Sequence, residues 1–210
     1  MSVGDPGEAG LVERFVSSVS HELRTPLSVV VGYAELLARR DDAATRRTAI
    51  PRIHAAANRL SSVIDALLMA AALDAGSVAS TQQPVDLGES LAAAAGRLAQ
   101  RGESPPVTLA HEDGAPWPLA WADPDHVAFI LDQLLWSACS GSPAGRQIVV
   151  AARREGGHAV VSVGESGASH GLAIVRALVE LQGGSSRVGG EHGGASVSFS
   201  LPLAPAEAGR

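Results

Sequence analysis

The sequence lacks most of the features that mark secreted, membrane-spanning or nucleic-acid-binding proteins. Its one cysteine, Cys139, cannot form a disulfide within the chain, and its place in an apolar helical pattern predicts a buried structural thiol. No unbroken run of about 18 apolar residues occurs, and no basic segment precedes an apolar one at the start. These absences predict a cytoplasmic protein without a signal peptide or a membrane span. The net charge of −6 argues against nucleic-acid binding, which requires a basic patch.

The remaining composition is that of a soluble globular protein, with 46% hydrophobic and 18% charged residues among 210. Residues 76–84 are polar and contain glycine and proline, which predicts a linker between two domains. We therefore expect a disordered N-terminus over residues 1–10 and a helical domain over residues 11–75. A second domain is expected over residues 85–204, followed by a tail over residues 205–210.

The first domain contains two amphipathic helical patterns separated by a polar turn at residues 39–45. In both patterns apolar residues recur at steps of three and four, as in helices that pack in a bundle. The two stripes are Val16, Val19, Leu23, Leu27, Val30, Ala34 and Leu37 in the first helix and Ile50, Ile53, Ala57, Leu60, Ile64, Leu67 and Ala71 in the second. One hairpin cannot bury both stripes, whereas two chains can. The pattern therefore predicts a dimeric four-helix bundle.

The most informative short segment lies on the first helix, where an imidazole, a carboxylate and a hydroxyl stand close together. It reads Ser20-His21-Glu22-Leu23-Arg24-Thr25-Pro26-Leu27. A neutral imidazole is a good nucleophile that can accept a phosphoryl group and pass it on. Glu22 could take the imidazole proton, and Thr25 could hold a water. The segment therefore predicts phosphoryl-transfer chemistry, with His21, Glu22 and Thr25 as the catalytic candidates.

The second domain alternates helical and strand patterns. Periodicity predicts helices over residues 87–101, 124–138 and 171–182, and strands over residues 107–109, 118–122, 147–154, 158–163 and 195–201. Helices combined with mainly antiparallel strands give an α+β layer. The whole chain is thus predicted to be a two-domain α+β protein.

Residues 20–27 resemble the phosphoacceptor box of two-component sensor histidine kinases. Residues 171–184 and 198–202 resemble parts of the ATP-binding domain that follows the box in that family. The resemblance implies an N-terminal helical hairpin that forms a dimeric four-helix bundle, then an α/β sandwich. It also implies that His21 is phosphorylated and exchanges the group with an aspartate of a response regulator. In the family, residues at the positions of Glu22 and Thr25 accept a proton and orient a water.

The second domain departs from the family pattern where nucleotide should bind. Ser137 stands in place of the asparagine that ligates Mg²⁺, and a serine hydroxyl could reach the metal only through a water. Glu165 replaces the adenine-binding aspartate, and its extra methylene displaces the carboxylate. Only three residues separate Gly167 from Gly171, too few for the family's lid. The resemblance therefore implies a degenerate nucleotide site at Glu165, Gly167 and Gly171, with a degenerate Mg²⁺ position at Ser137.

Three functions are compatible with these observations. In the first, the chain carries a phosphoryl group on His21 as a phosphotransferase or phosphatase with impaired use of ATP, and no cofactor is expected. In the second, it is an active cytoplasmic sensor kinase that uses ATP and Mg²⁺. In the third, it is a non-catalytic dimerisation partner of a true kinase, and His21 is dispensable.

The expected partners follow from the same resemblance. The receiver domain of a response regulator should dock on the first helix below His21, next to Val19 and Leu27. A homodimer is expected, and a separate histidine kinase is a further candidate partner. Nucleic acid and membrane are not expected to bind.

Overall fold

A computed structural model describes residues 6–100, 105–111, 115–141, 147–164, 172–189 and 196–205, with the backbone alone for residues 6–22. The chain divides into two compact units, Met1–Leu68 and Met69–Arg210. We refer to them as the helical unit and the α/β unit. The division falls before the predicted linker, because the last turns of the second helix belong to the α/β unit: Met69 and Leu73 pack on its core.

The helical unit contains two long helices, α1 (Pro6–Arg39) and most of α2 (Ala43–Asp74). Helix α1 begins inside the segment 1–10, which the sequence predicted to be disordered. The turn between the helices is shorter than predicted, because Asp42 caps α2. The Thr45 amide donates a hydrogen bond of 2.8 Å to Asp42 Oδ1, and this bond is the first of those that lower the pKa of Asp42.

Burial separates the predicted apolar stripes into two adjacent rows on each helix. The buried and half-buried rows are Leu23, Pro26, Val30, Tyr33 and Leu37 on α1 and Ala49, Ile53, Ala56, Leu60, Val63 and Leu67 on α2. The exposed rows, each one residue later, are Leu27, Val31, Ala34 and Ala38 on α1 and Ile50, Ala57, Ile64 and Leu68 on α2. The predicted stripes were therefore mixtures of both rows, because steps of three and four do not distinguish neighbouring rows.

The two exposed rows fall on the same side of the hairpin. Each lies about 100° around its helix from the buried row, in the same sense of rotation. Since the helices of a hairpin run in opposite directions, this offset turns both rows toward one side. We call the large side chains of these rows, Leu27, Val31, Ile50, Ile64 and Leu68, the apolar strip; their exposed fractions lie between 47% and 65%.

By length and composition α2 could also cross a membrane, although only 11% of its most apolar window is buried. An apolar bundle helix passes the same test, so this is weak evidence for a membrane span. The expectation of no membrane segment stays a prediction.

In its described residues, the α/β unit contains a five-stranded sheet, a two-stranded sheet and three helices. The helices are α3 (Leu87–Gln100), α4 (Pro124–Gly141) and α5 (Leu172–Leu181). The strands are β1 (Gln83–Asp86), β2 (Val107–His111), β3 (Leu119–Ala122), β4 (Ile148–Glu155), β5 (His158–Gly164), β6 (Ser185–Gly189) and β7 (Ser196–Pro202). The large sheet has the order β2-β4-β5-β7-β6, and only the β2–β4 pair is parallel. Strands β1 and β3 form the small antiparallel sheet.

Every predicted helix and strand of this unit is present, but two strands were missed. Strand β1 is short, begins inside the predicted linker and buries only Val85. Strand β6 lies at a sheet edge, is mostly exposed and lacks apolar alternation. Both strands depend on pairing with a neighbour, which hydropathy alone does not reveal.

One hydrophobic core lies between the helices and the large sheet. Strands β5 and β7 alternate strictly, so Val161, Val163, Val197, Phe199 and Leu201 all point inward. The burial of these aliphatic and aromatic side chains is the main contribution that stabilises the packing of the helices on the sheet. Cys139 on α4 is half-buried rather than fully buried, and burial raises the pKa of its thiol.

Candidate functional site

The predicted phosphoacceptor segment lies within α1, which runs without interruption from Pro6 to Arg39 and includes Pro26. The backbone at His21 and Glu22 is therefore helical, while their side chains lie outside the described part of the structure. At about 100° per residue, position 21 lies about 140° around the helix from the buried Pro26. The helix thus turns position 21 away from the buried row.

Of the three catalytic candidates, only Thr25 has a described side chain, and that side chain is exposed. It follows His21 by four residues and Glu22 by three, and residues at these spacings are neighbours on a helix surface. Next to Thr25, Pro26 is buried. The helix therefore brings positions 21, 22 and 25 close together, and the Thr25 side chain is exposed.

The predicted metal position lies on α4. Ser137 and Gln133 are one helical turn apart, and both side chains are half-buried. The neighbouring carboxylate, Asp132, is engaged by the Arg97 guanidinium of α3, with N···O distances of 2.9 to 3.1 Å. This two-pronged ion pair ties α3 to α4 and directs the Asp132 carboxylate toward a cation of the protein.

The described residues do not fit a Mg²⁺–nucleotide site. Mg²⁺ prefers carboxylate and carbonyl oxygens, whereas α4 offers a serine hydroxyl at the family's ligand position. Among the described ranges no group of three or more histidine, cysteine, aspartate or glutamate residues could hold a metal. The other predicted nucleotide-site residues, Glu165, Gly167 and Gly171, lie outside those ranges.

Sequence reasoning missed one group of polar residues in the α/β unit. Asp123 caps α4, because its Oδ1 accepts hydrogen bonds from the amides of Asp125 and His126 at 3.0 and 3.3 Å. Gln182, at the end of α5, was not singled out although it is almost fully buried. A polar side chain directly before two glycines was the only signal in the sequence.

Comparison with known proteins agrees with the fold and with the phosphoacceptor segment. The family model for the His Kinase A (phospho-acceptor) domain matches residues 11–76. Sensor protein DivL of Caulobacter vibrioides is 34% identical over 212 residues, which cover 90% of this chain and 28% of DivL. The structure of full-length ShkA in complex with AMPPNP is 28% identical, with a TM-score of 0.57 over 92% of this chain and 46% of that one.

The fold also matches histidine kinase ThkA in complex with the response regulator protein TrrA. The TM-score is 0.62 at 17% identity, over 95% of this chain and 64% of that one. The chain spans less than half the length of the curated relatives that match most of it. A phosphoacceptor model over the helical hairpin, a relative aligned along most of the chain and solved kinases with the same two-domain fold lead to one conclusion: the chain belongs to the two-component sensor histidine kinase family.

Proposed function

We propose that the chain exchanges a phosphoryl group between His21 and the receiver-domain aspartate of a response regulator, as a phosphotransferase or phosphatase with impaired use of ATP. The observation that carries this proposal is the phosphoacceptor segment on an uninterrupted, outward-facing stretch of α1. It is combined with an α4 that has Ser137, rather than an asparagine, at the position that resembles the family's Mg²⁺ ligand.

The exchange needs only groups near His21. The neutral imidazole nitrogen attacks phosphorus of the aspartyl phosphate, an N–P bond forms, the P–O bond to aspartate breaks, and the carboxylate leaves. Glu22 accepts the proton from the other ring nitrogen, so the phosphorylated imidazole carries no excess positive charge. The reverse sequence returns the group to a receiver domain.

The phosphatase reaction uses Thr25 instead. Its hydroxyl holds a water in line with the aspartyl phosphate, the water oxygen bonds to phosphorus, and the P–O bond to aspartate breaks. Inorganic phosphate is released and aspartate is regenerated. Positioning supplies most of the acceleration in phosphoryl transfer, so an exposed hydroxyl one turn from His21 is suited to this role.

We further propose that the helical unit forms a homodimer through the apolar strip. Two copies would bury these side chains in a four-helix bundle, as the sequence predicted. Val29 and Leu36 are also exposed, at 36% and 42%, and each precedes a buried-row residue, so they lie on the opposite side of the hairpin. We assign that side to the receiver domain, which moves the docking surface away from Leu27. The complex of ThkA with TrrA supports a regulator as the partner.

A second candidate is the active cytoplasmic kinase. It is favoured by the similarity to ShkA, whose structure contains AMPPNP. The two candidates differ in one respect, the source of the phosphoryl group. A third, the non-catalytic dimerisation partner, differs in leaving His21 without a role.

A panel of receiver domains, charged with radiolabelled acetyl phosphate, tests the proposal. We expect acid-labile label on the wild-type chain within minutes for at least one receiver, and none on His21→Ala. Thr25→Ala should still take up label but should release inorganic phosphate from the receiver at least about tenfold more slowly. Label on the wild-type chain that persists in His21→Ala would contradict the proposal.

A further inference from the structure

A cluster of buried polar side chains joins the segment after α2 to the ends of two helices in the α/β unit. Gln182 is 1% exposed, His126 is 6% exposed and Asp123 is 8% exposed. Gln182 directly follows α5, while Asp123 and His126 lie at the start of α4. Three chain segments that are distant in sequence therefore meet at one buried point.

The Gln182 side chain makes hydrogen bonds to both of the other segments. Its Oε1 accepts the Asp123 amide at 2.8 Å. Its Nε2 donates to Ser80 Oγ at 3.0 Å and to His126 Nδ1 at 2.8 Å. Because an amide nitrogen can only donate, Nδ1 of His126 is the acceptor of this bond. One amide group thus uses its oxygen and both of its hydrogens.

A second set of bonds holds the same segment through the chain itself. The Thr81 amide donates to Asp123 Oδ2 at 2.7 Å, and the Gln82 side-chain amide donates to the Gln182 carbonyl at 3.5 Å. Just before these residues, Val78 packs on the hydrophobic core. Residues 78–82 are therefore fastened by one apolar contact and by three hydrogen bonds, which involve Ser80, Thr81 and Gln82, although most of these residues are otherwise exposed.

Because Gln182 is buried, its hydrogen bonds favour one conformation of the segment after α2. A buried amide is costly unless its donors and acceptor are all engaged, so Gln182 has a strong preference for the conformation in which residues 80–82 are in place. If that segment left, Gln182 would lose Ser80, and Asp123 would lose Thr81. An apolar side chain of the same size would have no such preference.

We propose that this cluster is a latch that fastens the exit of α2 to the α/β unit, with Gln182 as its central positioning residue. The latch makes residues 69–82 follow the movements of α4 and α5. Those two helices carry or border the family's nucleotide-site positions, Ser137 and Gly171. A change at these helices is thereby transmitted to the end of α2, and an open latch uncouples them while the core stays folded.

Residue-resolved hydrogen exchange on the full chain tests the latch. In Gln182→Met, which keeps the volume but removes the hydrogen bonds, we expect the Thr81 amide to exchange at least about tenfold faster. The amides of Val161 and Phe199, in the centre of the sheet, should change by less than about twofold. Gln100→Met, at an exposed position on α3, is the matched control and should change neither.

A second variant keeps the test decisive if Gln182→Met does not fold. Ser80→Ala removes one hydroxyl from an exposed residue and should accelerate exchange at Thr81 by about threefold without altering the sheet. Unchanged exchange at Thr81 would overturn the latch. Equal acceleration at Thr81, Val161 and Phe199 would also overturn it, because Gln182 would then stabilise the whole core rather than fasten one segment.

Discussion

The two units of this chain differ in the burial of their apolar side chains. Of the 27 buried apolar residues in the described parts of the chain, 25 form the core of the α/β unit. Of the side chains that the structure describes, the helical unit contributes only Ala49 and Ala56 to this set, besides the buried Pro26, yet it carries seven of the ten large apolar side chains that are exposed. The α/β unit is therefore complete as one chain, whereas the helical unit presents a surface that a second copy would bury.

The candidate sites for chemistry also differ between the two units. The segment that carries His21 lies in the unit with the open apolar surface, where partners can reach it. The self-contained α/β unit has a hydroxyl where the family places a metal ligand. In the proposed function, this chain depends on association for both its stability and its chemistry, and much less on its own nucleotide site.

The largest loss of stability in the α/β unit is expected when a large core side chain is truncated. Phe199→Ala should lower the free energy of unfolding of this unit by about 3–5 kcal/mol, because Phe199 is 1% exposed and its removal leaves a cavity. Val188→Ala, at a position that is 69% exposed, should change it by less than about 0.5 kcal/mol. Urea unfolding followed by tryptophan fluorescence measures both. Equal effects of the two substitutions would contradict the assigned core.

The helical unit should instead be most sensitive to substitutions in the apolar strip, which we expect to weaken the dimer. Ile64→Asp places a carboxylate in the proposed dimer interface, and we expect the dimer dissociation constant to rise at least about 100-fold, which corresponds to about 2.7 kcal/mol. Sedimentation equilibrium measures this constant. Leu36→Asp, on the opposite side of the hairpin, is the matched control and should remain dimeric. A dimer that tolerates Ile64→Asp would show that the strip is not the interface.

The same pair of variants sharpens the assignment of the regulator surface. Leu36→Asp should slow phosphoryl transfer from a charged receiver domain by about tenfold, or about 1.4 kcal/mol, because it places a charge in an apolar docking surface. Glu35→Gln, next to it on α1, should have less than about a threefold effect. Rates of label transfer at low protein concentration provide the measurement. If Leu36→Asp transfers at the wild-type rate, the receiver docks elsewhere.

Much of this organisation could be read from the sequence, and the failures have clear physical causes. Every predicted helix and strand of the α/β unit is present, since alternation such as that of β7 is a strong local signal. Strands β1 and β6 were missed because pairing, not hydropathy, makes them strands. The stripes of α1 and α2 were predicted, but not their division into a buried and an exposed row. Gln182 was missed because its partners lie about 60 and 100 residues away in sequence.

Acid should weaken the α/β unit at the start of α4. Burial alone would raise the pKa of Asp123, but hydrogen bonds from the amides of Thr81, His126 and Asp125 outweigh it and lower that pKa below its ordinary value of 3.8. The ionised form is thus favoured in the folded protein. Its stabilising contribution is present above the unfolded pKa and is lost as pH falls through the folded one.

Asp123→Asn isolates this contribution. The variant should be less stable than wild type by roughly 1 kcal/mol at pH 6, because both carboxylate oxygens accept backbone amides and one of them becomes an NH2 donor in asparagine. The difference should shrink as the pH falls below 3.8, the ordinary value for this carboxyl. Urea unfolding of both proteins, at pH 6 and at a pH below 3.8, measures this difference. A difference that stays constant across this range would show that the ionised carboxylate is not the stabilising form.

The most direct test of the division between the two units compares two phosphoryl donors on the purified dimer. Radiolabelled ATP with Mg²⁺ is supplied in one reaction and a radiolabelled receiver domain in the other, with His21→Ala beside each. We predict acid-labile label from the receiver alone, lost in His21→Ala. Label that comes from ATP and depends on His21 would contradict the account, because the α/β unit would then bind nucleotide and drive the chemistry itself.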